Sequence, residues 1–400
     1  MFENIDKSNW QTHRFDEIAY SISEKIDPTN TDLEIYVGLE HLDPESLHIK
    51  RFGEQGDVMG LKLRCYPGDI IFGKRRAYQR KAAIVEFDGF CSAHALVLRA
   101  NSEIIEPELF PFFLQSDLFM HRAVDISVGS LSPTINWKTL KQQEFLLPPK
   151  DQQAQIAELL WAMDDVVEKS EKLNEKIEKC LESLIESEIH GCELKNKTIN
   201  QVLNEIQNEV GLKPINKLGE LLKGKGIQKK DLAESGKPCV RYGELYTKHH
   251  RIIKKYYSFT PENKIDGKLL LKKNDVLFAG SGETIEEIGK SAAFISDAEV
   301  YAGSDIIIFR PNNMNGSFLG YLMNSLVVRK QLNKYGTGAT VMHIYKDDIN
   351  KIMVPYLDKQ KQDDIAINLE KYNKNIELIS DKIQKSKQLQ KSLINEIFTV

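Results

Sequence analysis

The side chains best suited to chemistry in this 400-residue chain are basic ones gathered in two clusters. Between residues 62 and 81, Lys62, Arg64, Lys74, Arg75, Arg76, Arg80 and Lys81 stand against a single acid, Asp69. Between 223 and 255, ten Lys or Arg stand against Asp231, Glu234 and Glu244, interleaved with Tyr242, Tyr246, His249, His250, Tyr256 and Tyr257. Basic side chains suit nucleic acid because each neutralised phosphate releases counterions, and Arg or Lys also reads guanine in the major groove. One basic run alone suits a solvated face or a charged hairpin equally well. Two of them, one in each half of a duplicated chain, favour binding. The candidate DNA contacts are Lys74, Arg75, Arg76 and Arg80 in the first half and Lys229, Lys230, Arg241, Lys248 and Arg251 in the second. The loop hydroxyls of Ser130, Thr134, Thr337 and Thr340 join them.

Catalytic patterns are absent or broken. Gly289-Lys290-Ser291 ends a stretch that resembles a phosphate-binding loop, but six residues separate Gly282 from Gly289 where four are needed, and glutamates among them oppose a polyphosphate. Glu262-Asn263-Lys264 has a spacing found in nucleases, without a suitably placed acidic partner. No GxGxxG follows a strand and no HExxH occurs; Pro148-Pro149 lack the flanking residues that an amino-methyltransferase sets around its target amine. The nine histidines show no metal-ligand spacing, and the five cysteines form no CxxC pair. The chain therefore reads as non-catalytic, with no metal and no cofactor.

Composition agrees with a binding role but not with general DNA coating: 28% of residues are charged and the net charge is only -4. The N-terminus lacks the basic and apolar stretches of a signal peptide, and no segment approaches the roughly 18 apolar residues of a membrane helix. With sparse cysteine, a reducing cytoplasm is the expected location.

The elements that must position these residues occur twice, with landmarks about 209 residues apart. Gly68-Asp69-Ile70-Ile71-Phe72 answers Asn274-Asp275-Val276-Leu277-Phe278, Ala82-Ala83-Ile84 answers Ala292-Ala293-Phe294, and Arg99 answers Arg310. Each half ends in a long amphipathic helix. The first has an apolar seam at Leu159, Met163, Val166, Ser170, Leu173, Ile177, Cys180 and Leu184. The second has one at Ile365, Leu369, Tyr372, Ile376, Ile379, Ile383, Ser386, Gln390, Leu393 and Ile397. Steps of four and three sustained this long indicate a coiled-coil seam. The simplest partner for each seam is the other, packed antiparallel within one chain. The expected fold is α+β: two similar mixed-sheet domains, 1–148 and 212–356, separated by a long antiparallel two-helix coiled coil and related by a pseudo-twofold repeat. Its helices occupy 149–191, closed by Gly191, and 357–400, and a linker with a short helix occupies 192–211.

The segment LPPKDQQAQIAELL from Leu147 to Leu160 and its neighbours, the two heptad helices, the VRYGEL run at Val240–Leu245 and the loop GTGATVMHI at Gly336–Ile344 together give the chain a resemblance that covers almost its whole length. It resembles the specificity subunit of type I restriction-modification systems. That resemblance implies a target recognition domain in each half, each reading one part of a bipartite double-stranded DNA sequence, with the helices setting the gap. A helix of 35 to 40 residues spans roughly 50 to 60 Å, and half-sites on one face of a duplex lie about 34 Å apart. It also implies two adenine methyltransferase subunits and motor-nuclease restriction subunits as partners. The paired Gln-x-x-Ile steps, Gln153 with Ile156 and Gln362 with Ile365, are then the expected partner contacts. The second helix departs from the first in its single Pro355 and in Lys361 where the first has Gln152. A coiled-coil scaffold that never touches DNA is the competing reading; it explains the helices and leaves the basic clusters without purpose.

Overall fold

The computed structural model describes residues 6–191, 197–337 and 342–399. The chain forms two compact units: residues 1–172 with 380–400, and residues 173–379. Both are mixed α/β structures. No helix among the described residues is long and apolar enough to cross a membrane.

In the first unit a four-stranded antiparallel sheet runs in the order Ala19–Ile22, Leu96–Ala100, Ile70–Phe72, Ala82–Ile84. A five-stranded sheet joins Lys25–Ile26, Lys62–Cys65, Gly89–Cys91, Ile35–Val37 and Gly53–Glu54, with one parallel pairing of Tyr36 with Phe90 and Val37 with Cys91. Strand Ile70–Phe72 shows why so apolar a run extends: side chains alternate between faces, and both faces are covered. Ile70 and Phe72 enter a core with Phe15, Phe110, Phe113 and Phe119, whereas Ile71 enters another with Val37, Cys65, Cys91 and Val97.

The second unit repeats this plan. Its central strand Val276–Ala279 sends Val276 and Phe278 into one core and Leu277 and Ala279 into another. A five-stranded sheet orders Gly219–Lys223, Ile306–Pro311, Val276–Ala279, Ser291–Ala293 and Arg251–Ile252, and the parallel pairing of Val240 with Ala302 answers that of Val37 with Cys91. The buried carboxylate before each central strand is also duplicated. Asp69 accepts from Tyr66 N at 2.9 Å and from Arg99 at 2.7 and 3.1 Å; Asp275 accepts from Lys272 N at 2.8 Å and from Arg310 at 2.9 and 2.7 Å.

The long helices span Lys150–Ile185 and Lys359–Phe398. A short π-helical turn at Glu186–His190 extends the first, and Gly191 closes it with φ 68°, as the sequence predicts. In each unit the start of one helix shares a core with the end of the other, so the pair runs antiparallel. In the first unit Ile156, Ala157 and Leu160 pack with Ile394, Ile397 and Phe398. In the second, Ile365, Ala366 and Leu369 pack with Leu181, Ile185 and Ile189. The seam of the second helix lies where its heptads put it, with Ile365, Leu369 and Ile397 buried. That of the first helix is displaced by one residue. Leu160, Asp164, Val167, Leu181 and Ile185 are buried, while Val166 and Leu173 are 45% and 49% exposed. The sequence reading follows the apolar residues and misses this register because the true seam carries polar groups in its middle. Asp164 there accepts from His48 at 2.6 Å and lies 3.5 Å from Gln390 Nε2, which also donates to Leu160 O at 3.2 Å.

Ion pairs tie each domain to its own following helix: Lys50 to Glu168 and Glu171 in the first unit, Lys254 to Glu377 in the second. After the first long helix, a helix spans Ile199–Glu209 and opens with a capping box on Thr198.

Candidate nucleic-acid interface

The turn that follows each central strand is built in the same way in both units. In the first, Gly73 N donates to Lys81 O at 2.8 Å, closing residues 74–80 into a loop; in the second, Ala279 N donates to Lys290 O at 2.9 Å, closing 280–289. Each loop is clasped by a second one. Arg75 pairs with Thr134 and Ile135 N donates to Lys74 O at 2.9 Å; likewise Ser281 pairs with His343 and Ile344 N donates to Gly280 O at 3.1 Å. The second loops are themselves closed by exchanged backbone hydrogen bonds, Val128 with Thr134 and Thr337 with His343. Four segments far apart in sequence thus become two equivalent two-loop platforms.

In the first unit the platform is cationic. Lys74 is half-buried, Arg75 and Arg76 are exposed, and the structure sets them beside Thr134 and the exposed Ser130. Arg76 N donates to Pro133 O at 2.8 Å, and the Thr134 hydroxyl is turned inward onto Ser132 O at 3.1 Å. Partial burial, then the neighbouring charge of Arg75, holds Lys74 below its ordinary value. His94, absent from the expected set, belongs to the same field: desolvation, then the charges of Arg75, Lys74 and Lys62, holds it below the usual imidazole value. His94 lies outside both basic runs in sequence, so composition alone does not point to it.

Arg80 is placed differently from Arg75 and Arg76. Its guanidinium lies 3.1 Å from Glu45 and 2.6 Å from Asp117 and donates to Gln115 O at 2.5 Å, with 16% of the side chain exposed. These contacts hold the loop's far end to the domain. A cavity of about 580 Å³ adjoins it, lined by His48, Lys50, Asp164, Glu171 and Lys387 among others. The ion pairs of Lys50 and Lys387 with Glu171 mark this cavity as part of the scaffold.

In the second unit the equivalent loop is Gly-Ser-Gly-Glu-Thr-Ile-Glu-Glu-Ile-Gly, and it is anionic. Arg329 anchors it, donating to Ile288 O at 2.8 Å and to Glu286 O at 2.9 Å; burial lowers that guanidinium to about 10. Glu287 caps the loop by accepting from Glu283 N at 2.7 Å, so the stretch resembling a phosphate-binding loop has its amide donor filled by its own carboxylate. The basic cluster of this half lies elsewhere, on and after the strands Gly219–Lys223 and Lys237–Val240. The two clusters therefore occupy equivalent halves but not equivalent positions.

Lys229 and Lys230 are exposed on one 3₁₀ turn, Lys229–Asp231; Lys248 is exposed beside Tyr257, and Arg241 is half-buried. Tyr242 and Tyr246 pack with ring centroids 6.4 Å apart. Desolvation, then the neighbouring Tyr242, Glu287 and Glu283, raises the Tyr246 phenol, which places the anionic loop near these rings. Arg251 is half-buried at φ 62°, with its guanidinium 5.8 Å from the Tyr321 ring, and desolvation holds it below its ordinary value. Thr337 is exposed, and Thr340 lies outside the described residues.

The four Gln-x-x-Ile residues are spent within the chain. Gln153 is 1% exposed; its amide donates to Pro148 O at 2.8 Å and Ile104 O at 2.9 Å and its carbonyl accepts from Glu106 N at 2.7 Å. Gln362 repeats the pattern, donating to Leu357 O at 2.8 Å and accepting from Asn315 N at 2.9 Å. Ile156 and Ile365 are buried beside them. Held in this way, the motif fixes each helix N-terminus to its domain. Among the described residues no group of three or more His, Cys, Asp or Glu is placed to hold a metal.

Known proteins share this construction. The profile described as the type I restriction modification DNA specificity domain matches residues 7–179 and again 208–388. The EcoDI type I restriction enzyme specificity subunit of Escherichia coli is 32% identical over 169 residues, covering 40% of this chain and 37% of that protein. The MjaVIII specificity subunit of Methanocaldococcus jannaschii is 23% identical over 283 residues, covering 68% and 65%. The chain thus spans less than two thirds of either relative. Among solved structures, the S subunit of a type I restriction-modification system from M. genitalium superposes with a TM-score of 0.60 at 14% identity, covering 100% of this chain and 98% of that one. A chain from a structure of the assembly of a type I restriction-modification system gives 0.57 at 17% identity, covering 97% of each.

Proposed function

The chain belongs to the type I restriction-modification DNA specificity family, and we propose from that premise that it binds double-stranded DNA sequence-specifically, each half reading one part of a bipartite target. The observation that carries this reading is one scaffold bearing two differently charged platforms. The clasping hydrogen bonds are the same in both units, whereas the loops are Lys-Arg-Arg-Ala-Tyr-Gln-Arg in one and Gly-Ser-Gly-Glu-Thr-Ile-Glu-Glu-Ile-Gly in the other. Equal scaffolds with unequal loops are what two readers of different base sequences require. Phosphate contacts position such a domain and base-edge contacts specify. In the first half Lys74, Arg75 and Arg76 supply the phosphate contacts and Ser130 a base contact. In the second, Lys229, Lys230, Arg241 and Lys248 supply the charge, and Thr337 lies on the platform.

The chain itself performs no chemistry in this reading. Adenine methylation and cleavage belong to partner subunits, two methyltransferase subunits and the restriction subunits, in the cytoplasm. The test exchanges residues 212–356 for those of another family member and maps methylated adenines across the genome of cells carrying the assembled system. One part of the recognised sequence changes and the other stays. A change in both parts, or in neither, overturns modular reading. Absence of salt-dependent retention on duplex DNA, alone and with methyltransferase subunits, replaces it with the coiled-coil scaffold.

A further inference from the structure

The clasped loop of the first unit carries an apolar tip that charge does not explain. Val128 and Thr134 exchange backbone hydrogen bonds at 3.0 Å in each direction, Gly129 takes φ 117°, and Arg76 N holds Pro133 O from the side. These restraints make Ser130-Leu131-Ser132 the tip of a short closed hairpin. Leu131 is 92% exposed and Val128 is 71% exposed. A lone exposed leucine is ordinary on a protein surface. This one differs in its setting: a hydroxyl on either side in sequence, and a base of Lys74, Arg75 and Arg76 with His94 in their field.

That combination is unsuited to an apolar protein patch, which would have to desolvate the surrounding cations. It does suit the DNA major groove. There the thymine 5-methyl is the one apolar group on a base edge, it lies among donors and acceptors that a serine hydroxyl meets in either sense, and phosphates flank it.

Resting on the DNA-reading function above, we propose that Leu131 is a specificity residue of the first half, packing on a thymine methyl in the major groove. Ser130 and Ser132 meet neighbouring base edges, and Lys74, Arg75 and Arg76 hold the adjacent phosphates.

The test uses the full chain assembled with its methyltransferase partners. A target is selected from a random duplex library, and the part read by the first half is the part that survives exchange of residues 212–356. Each thymine there is replaced in turn by deoxyuridine, which removes the methyl and nothing else. At one position the wild-type assembly loses about fourfold in affinity, the equivalent of one buried carbon at about 0.8 kcal/mol. Leu131→Ala, harmless to folding because the side chain is solvent-exposed, loses affinity for the natural target and becomes indifferent to uridine at that position. Three results overturn the proposal: wild-type indifference to uridine throughout that part, the same uridine loss retained in Leu131→Ala, or a first-half target with no thymine on either strand. Selective, salt-dependent binding that accompanies any of them leaves the DNA-reading function standing. Failure to select any sequence overturns both.

Discussion

Arg75 and Arg80 lie in one seven-residue loop and serve different ends. Arg75 is solvent-exposed beside Thr134, whereas Arg80 is closed off by Glu45 and Asp117. Composition gives both the same weight; only their neighbours distinguish them. Replacing Arg75 and Arg76 together with Gln is expected to weaken binding to all duplex sequences alike. The slope of log affinity against log salt should fall by about two, near 0.9 for each phosphate that is no longer neutralised. Binding titrations across a salt series check this; an unchanged slope removes both residues from the interface. Arg80→Gln should instead lower stability by about 2 kcal/mol, as expected for loss of charge-assisted hydrogen bonds at a mostly buried site. Its salt slope should stay at the wild-type value. Chemical denaturation and the same titration separate the two outcomes.

At the scale of elements, the first long helix teaches the most. Its apolar residues fall on a heptad at Val166 and Leu173, yet the buried line runs one residue later through Leu160, Asp164 and Val167. Leu160→Ala should cost about 3 kcal/mol, as for a buried leucine whose cavity cannot collapse. Leu173→Ala, half-exposed, should cost less than about 1 kcal/mol. Equal costs in denaturant melts would restore the heptad register. The polar middle of this seam also gives the first unit a pH dependence. The hydrogen bond to Asp164 raises His48 above its ordinary 6.5 against the opposing effect of burial, with Asp164, Glu168 and Glu86 adding charge. A raised folded value means the stabilisation is complete below the unfolded value and disappears as pH climbs through the folded one. Unfolding of the first unit should therefore become easier as pH rises from 6.5 through the folded value of His48. His48→Gln should flatten that dependence; a profile that stays the same refutes the assignment.

At the scale of the whole molecule, each unit is completed by chain from far away in sequence. The first unit draws Ile394, Ile397 and Phe398 into its core, and Asn395 clamps Asp117, accepting from its N-H at 2.8 Å and donating to its carboxylate at 2.6 Å. The second unit uses Ile185 and Ile189 in the same way, with Glu186 accepting from Leu326 N at 3.1 Å. Phe398→Ala should destabilise the first unit by about 3 to 5 kcal/mol. Deleting residues 380–400 should unfold it, because several such losses approach the 5–15 kcal/mol that typically holds a domain. Limited proteolysis should then degrade residues 6–172 and spare those of the second unit. Protection of the first unit in the truncated chain would show that the C-terminal segment is dispensable.

The sequence by itself determined the duplication, the mixed-sheet class, the two long helices and the family resemblance. Each is written in local chemistry: the repeated apolar runs Ile70–Phe72 and Val276–Ala279, heptad spacing in Lys359–Phe398, and Gly191 where a helix must turn left-handed. Tertiary structure alone decided which basic residues face solvent, where the first helix's seam runs, and that the Gln-x-x-Ile steps are buried. Those outcomes depend on partners such as Asp117 for Arg80, Tyr321 for Arg251 and Glu106 for Gln153. A side chain's burial and charge balance are set by neighbours that the fold delivers from distant sequence, and no local pattern encodes them.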